Sequence, residues 1–138
     1  MLGIEDAEHE ESAASAPRLL ITRLTCSLVG LAGTVRLGPG SLAHRVYGKT
    51  EITEEFRCNY GLNPAYRAKI ADGTLTVTGV DPDGEVRIVE LPTHRFFVAT
   101  LFVPQHSSRP GQPHPLITAY LKAALDVQAA RRRGPAAM

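Results

Sequence analysis

The chain has 138 residues, 43% of them hydrophobic, and a formal net charge of +1 at pH 7. That length suits one domain with a core of ordinary apolar content, and the near-neutral balance gives the whole chain no pull toward nucleic acid or a membrane surface. No run reaches the ~18 apolar residues that a membrane span needs, and the acidic N-terminus does not read as a signal peptide. Two cysteines, Cys26 and Cys58, cannot make a disulfide framework and fit a reducing cytoplasm.

Residues 1–16 carry acidic side chains and no lysine or arginine, and read as a solvated N-terminal arm. Residues 17–130 read as the folded domain. Leu19 to Val29 alternates apolar residues with Thr, Arg, Cys and Ser, the period of a strand. Gly33 to Gly38 is a short strand broken by Gly38-Pro39-Gly40. Ser41 can cap a short helix ending near Tyr47. Pro64 to Ala71 suits a helix opened by proline. Thr74 to Leu91 holds two alternating runs around Asp81-Pro82-Asp83-Gly84, which predicts a β-hairpin. Phe96 to Phe102 is nearly continuous in apolar residues, as in a central strand buried on both faces. A loop rich in Pro and Ser follows, from Val103 to Pro110. Loops at the carboxyl end of a buried strand are where open α/β sheets place active sites. Leu116, Ile117, Tyr120, Leu121, Ala124, Leu125 and Ala129 keep helical spacing, with Pro115 at the tolerated first position. Residues 131–138 form a basic tail whose three arginines favour a helix C-terminus and are too few to mark a nucleic-acid site.

Several stretches carry a resemblance. Phe102, Pro104, Ser108, Pro110, His114, Pro115 and Leu116 resemble the last strand, catalytic loop and final helix of class I glutamine amidotransferases, most closely the glutaminase domain of CTP synthase. Gly33-Thr34-Val35-Arg36-Leu37-Gly38 is similar to that family's Gly-Thr-Met-Arg-Leu-Gly. Met1 to Ala7 resembles a segment just after the helix that follows the nucleophile. Glu54, Arg57, Tyr60 and Asn63 match a Glu-Arg-His-Arg-His-Arg-Tyr-Glu segment whose last arginine helps hold glutamine. The resemblance runs from about Met1 to Ala124 and covers only the rear half of an amidotransferase domain. It implies an α/β fold of the class I glutamine amidotransferase (flavodoxin-like) kind: a mixed sheet with the hairpin and a C-terminal helix, the front half of the sheet lying outside this sequence.

Glutamine hydrolysis of that kind needs a thiolate on a tight glycine-flanked elbow, an imidazole to move its proton, and a carboxylate to orient the imidazole. Neither cysteine sits on such an elbow, and both read as half-buried structural thiols, with Arg57 lending Cys58 some thiolate character. The family's catalytic His falls on Val103 and its Glu on Gln105. Its substrate-holding arginine falls on Asn59, and the following Glu on Gly61. The resemblance therefore implies no catalytic residue in this chain. His106 and His114 are the imidazoles left near the loop, and His114 already matches a non-catalytic His-Pro-Leu position. His94, His106 and His114 lack the spacing of metal ligands, so no metal is expected, and no cofactor.

The expected function is that of a pseudoenzyme related to CTP synthase, in pyrimidine nucleotide biosynthesis. It would bind a glutamine-like molecule or a protein partner around Arg57, Asn59, Tyr60 and His106. Two alternatives stand beside this one. The chain is part of an active amidotransferase whose cysteine lies upstream of Met1, or it is a structural subunit completing another chain's sheet. Uncovered apolar faces and a strand edge lead us to expect a homo- or hetero-oligomer.

Overall fold

The computed structural model describes residues 2–133. Eight strands fall into two sheets. The smaller has the order β1 (Glu8–His9), β2 (Leu19–Arg23), β5 (Tyr60–Leu62), with β1 parallel and β5 antiparallel to β2. The larger has the order β4 (Glu51–Phe56), β3 (Leu31–Leu37), β6 (Thr76–Val80), β7 (Val86–Glu90), β8 (Val98–Thr100), and each neighbouring pair in it is antiparallel. The fold is thus the mixed α/β arrangement expected, with its one parallel pair in the small sheet.

Local chemistry explains the elements. The helix α1 (Leu42–Tyr47) starts where the Ser41 hydroxyl accepts the His44 N–H at 3.0 Å, and it stops at Gly48, whose φ of 65° is left-handed. The hairpin of β6 and β7 turns through Asp81. One carboxylate oxygen of Asp81 accepts the N–H groups of Asp83 and Glu85, and the other accepts Arg87 at 2.7 Å. The chain then closes on itself. Phe102 bridges Phe56, and the Val103 N–H donates to the Glu55 carbonyl at 3.4 Å, so the segment after β8 returns to β4 at the opposite edge of the sheet. Val35, Leu37, Ala43, Ile52, Phe56, Ile88, Phe102 and Leu116 form the core inside this curl.

Three expectations are corrected. The first strand ends at Arg23 rather than Val29, because Leu24 and Leu28 give their N–H groups to Asn59 and Cys58 carbonyls outside regular pairing. Cys26 is consequently exposed and off the strand. The Phe96–Phe102 run is not a central strand. Its regular part is β8, last in the sheet order, since Phe96 leaves to meet Tyr120 edge-on at 5.8 Å while Phe102 turns into the core. The acidic arm is pinned in part: Glu8–His9 pairs with β2, and the Glu10 carboxylate accepts the Arg23 N–H.

The expected Pro64–Ala71 helix is a 3-10 turn, Pro64–Tyr66, running into α2 (Arg67–Ala71), and α3 (Pro104–Ser107) is a single turn. The long helix α4 (Pro115–Arg132) begins at Pro115 as expected, but only Leu116 of it is buried, and Tyr120, Leu121 and Leu125 stand 57%, 55% and 63% exposed. The expected basic tail is described as far as Arg133; positions 134–138 lie outside the described residues.

Gly79 in β6 is required by packing rather than by a turn. A Cβ there would meet Ile88 side-chain atoms at 2.6–2.8 Å, and Ile88 is fully buried in the core. Overpacking of this kind costs about 1–3 kcal/mol. Gly79→Ala is therefore expected to lower the urea midpoint with an unchanged slope, checked by equilibrium denaturation.

Candidate functional site

Strand β4 alternates strictly: Ile52, Glu54 and Phe56 point inward, and Glu51, Thr53 and Glu55 outward. A carboxylate between two core side chains is costly unless donors meet it. Glu54 finds them on three other elements. The Tyr47 hydroxyl at the end of α1 donates to Oε1 at 2.5 Å, and His114 Nε2 reaches the same oxygen at 2.9 Å. The Ser107 hydroxyl, at the end of the short helix α3 (Pro104–Ser107), donates to Oε2 at 3.4 Å. His114 and Glu54 keep only 3% and 5% of their side-chain surface exposed.

His114 is also the N-cap of α4. Its Nδ1 accepts the Leu116 N–H at 3.2 Å, and its own N–H donates to the Ser108 hydroxyl at 3.1 Å. An acceptor at Nδ1 places the ring proton on Nε2, where it faces Glu54 and, at 3.2 Å, the Tyr47 oxygen. Both ring nitrogens are therefore occupied. Burial above all, then the hydrogen bond to Glu54 and its charge, pushes the Tyr47 phenol far above its ordinary pKa.

The sequence-predicted site lies beside this cluster. Val103, where the resemblance implies the family's catalytic imidazole, is the half-buried N-cap of α3, and Gln105 and His106 are exposed on α3. The run that was expected as a loop thus contains a helical turn. Residues 55–58 pass alongside 101–103: Val103 bonds Glu55, and the Cys58 thiol donates to the Leu101 carbonyl at 3.0 Å. Exposed Arg57 thus follows directly on the Phe56–Phe102 bridge, while exposed Asn59 gives its carbonyl to the Leu24 N–H beside the small sheet. Tyr60 is placed differently. It sits in β5 of the small sheet, with the Arg23 guanidinium 5.6 Å over its ring and the His9 ring 5.0 Å away. No sulfur is among the hydrogen-bond partners of His114 in the described residues. Among those residues, no group of three His, Cys, Asp or Glu side chains is arranged to hold a metal, and no helix is long and apolar enough to cross a membrane.

The Glu54–Tyr47–His114–Ser107 cluster escaped the sequence reading, although a signal was present. The run Glu-Ile-Thr-Glu-Glu-Phe puts Glu54 in phase with Ile52 and Phe56 if it is a strand.

Comparison with known proteins fits this geometry. The chain is 41% identical over 147 aligned positions to a CTP synthase of Bifidobacterium longum, covering 95% of this chain and 27% of that protein. It is 38% identical over 138 positions to a CTP synthase of Staphylococcus aureus, covering 93% and 26%. A solved glutaminase domain of Trypanosoma brucei CTPS, with bound acivicin, superposes with a TM-score of 0.83 at 26% identity, over 91% of this chain and 53% of that one. The chain is homologous to the glutaminase domain of CTP synthases. It has that domain's class I amidotransferase fold and spans about a quarter of the length of the curated CTP synthases it matches. No protein-family model matches it.

Tyr47→Phe removes one hydrogen bond to a buried carboxylate, an interaction worth about 1.5–3 kcal/mol. The variant is expected to lose stability of that order in urea denaturation, and Tyr120→Phe, on an exposed ring, none. The raised phenol pKa also fixes a pH dependence. The folded state keeps a proton that the unfolded state releases near the ordinary phenol pKa of about 10, so this contribution is complete below pH ~10 and falls as pH rises above it. Ultraviolet titration should show the Tyr47 phenolate, read as wild type minus Tyr47→Phe, appearing only with unfolding.

Proposed function

We propose that this chain is a CTP synthase-type glutamine amidotransferase segment that binds a ligand or partner beside Val103–His106 and does not hydrolyse glutamine. The observation that carries this reading is the commitment of the His114–Glu54 couple. One imidazole nitrogen caps α4 and the other is held by Glu54, so the couple has no lone pair to take a proton from a nucleophile. Val103 has no titratable atom, and Gln105 carries no charge. A general base typically contributes about 10²–10⁴ in rate, and losing the nucleophile of such a unit costs on the order of 10⁶.

The ligand in this reading is a glutamine-like amino acid or a protein segment, met by Arg57, Asn59 and His106. Asn59 lacks the forked cation that pairs with a carboxylate, so free glutamine binds weakly. Kinship with CTP synthases supports a role in pyrimidine nucleotide biosynthesis and, in this reading, a cytoplasmic location.

A second reading, a subunit that completes a sheet or domain, has its own support. An apolar groove of about 230 Å³ opens between the sheets, lined in part by Leu20, Ile21, Leu62, Ile70 and Leu75. Leu121 and Leu125 lie exposed on α4, and the solved glutaminase chain is nearly twice the span matched here.

Two measurements test these readings. Purified chain incubated with glutamine should release ammonia at the buffer rate; glutamate formed above that rate, and abolished in His106→Ala, would contradict the first reading. Sedimentation should give a mass above the 14.9 kDa of one chain if the second holds, and a monomer at every concentration, alone and with the unmatched part of the solved glutaminase domain added, removes it.

A further inference from the structure

A cavity of about 600 Å³ lies on another part of the molecule, and none of Arg57, Asn59, Tyr60, Val103, Gln105 or His106 lines it. The Gly38–Ser41 loop and the start of α1 form one wall, and the chain from Pro92 to Phe97 forms the other. Its volume falls within the ~300–1,000 Å³ of small-molecule sites.

The chemistry of the lining is uneven. Two arginines are in the lining, Arg45 from α1 and Arg95 from the opposite loop. Arg45 gives one N–H to the Gly40 carbonyl and keeps its other donors. Arg95 has no hydrogen-bond or ion-pair partner among the described residues. One carboxylate, Glu90, lies in the lining, and it is spoken for. Oε2 accepts the Leu42 N–H at 2.8 Å, and Oε1 accepts the Ala43 N–H at 2.8 Å and the Thr78 hydroxyl at 3.0 Å. Glu90 is 4% exposed, so it is a bolt between β7, β6 and α1 and not a partner for either arginine. The charge left available in the cavity is positive. Beside it stand apolar surfaces, Leu91, Pro92 and the 36% exposed ring of Phe97.

We propose that this cavity binds a small organic anion. Arg45 and Arg95 take its phosphate or carboxylate group by charge-assisted hydrogen bonds, and a flat apolar body rests on Leu91 and Phe97. Pairing of a planar guanidinium with either oxyanion is geometrically favoured, and the ring face of Phe97 offers a stacking surface. The inference is independent of whether the chain hydrolyses glutamine.

The test is an NMR titration of the ¹⁵N-labelled full chain with four probes: phenyl phosphate, benzoate, inorganic phosphate and benzyl alcohol. The expected result is saturable shifts at residues 38–45 and 91–97 with phenyl phosphate or benzoate, at least about tenfold tighter than with inorganic phosphate or benzyl alcohol. Which aromatic anion wins names the head group. Arg95→Gln breaks no bond of the described fold and should weaken binding about tenfold or more; Arg45→Gln should do the same, with thermal unfolding confirming that its loop is intact. No saturation by either aromatic anion up to about 10 mM, or an unchanged Kd in Arg95→Gln, would overturn the proposal.

Discussion

A carboxylate set on a strand between an isoleucine and a phenylalanine must be met by donors or it destabilises the fold. Glu54 recruits them from the end of α1, from α3 and from the residue that opens α4. Helix α1 is far in sequence from α3 and α4, and α4 otherwise buries only Leu116. The polar cluster therefore does what a larger apolar interface would do elsewhere. It fixes α1, α3 and α4 to β4, and with them the Val103–Ser108 segment. The Phe56–Phe102 bridge, one step along the same strand, closes the sheet around it.

The same cluster shows why a histidine beside a glutamate does not make a catalytic pair. A relay needs an imidazole with one nitrogen held by the acid and the other free toward a nucleophile. In His114 the acid side is occupied by Glu54 and the other nitrogen is spent capping a helix. In this geometry the couple is a structural pair, with no free acceptor on the imidazole. The loop that would hold working residues is kept in place, while its side chains at 103 and 105 are an aliphatic group and a neutral amide.

Much of this was legible from residues alone. Ser41 as cap, the Asp81–Gly84 turn and the α4 periodicity each rest on short-range chemistry, and each appears where the sequence puts it. The register of the larger sheet was not legible, because pairing of β3 with β6 and the return of Phe102 to Phe56 join residues distant in sequence. Phe96–Phe102 misled for the same reason: an apolar run cannot tell sheet burial from rings that pack on a helix, as Phe96 does on Tyr120. At the candidate site, Val103, Gln105 and His106 belong to the α3 turn, Arg57 follows the Phe56–Phe102 bridge and Asn59 bonds Leu24, whereas Tyr60 belongs to the other sheet, with Arg23 and His9 around its ring. The burial of Glu54 went unread because it stands among three glutamates of one strand, which look like surface until their phase is counted.

The His114 imidazole is locked, with its proton on Nε2 and its Nδ1 closed by the backbone. Long-range ¹H–¹⁵N correlation of the histidine rings reads that state. One ring of the Nε2–H form is expected, its proton protected from exchange with solvent and unaffected by added glutamine. A ring protonated at Nδ1, or one averaging between forms in exchange with water, would contradict it.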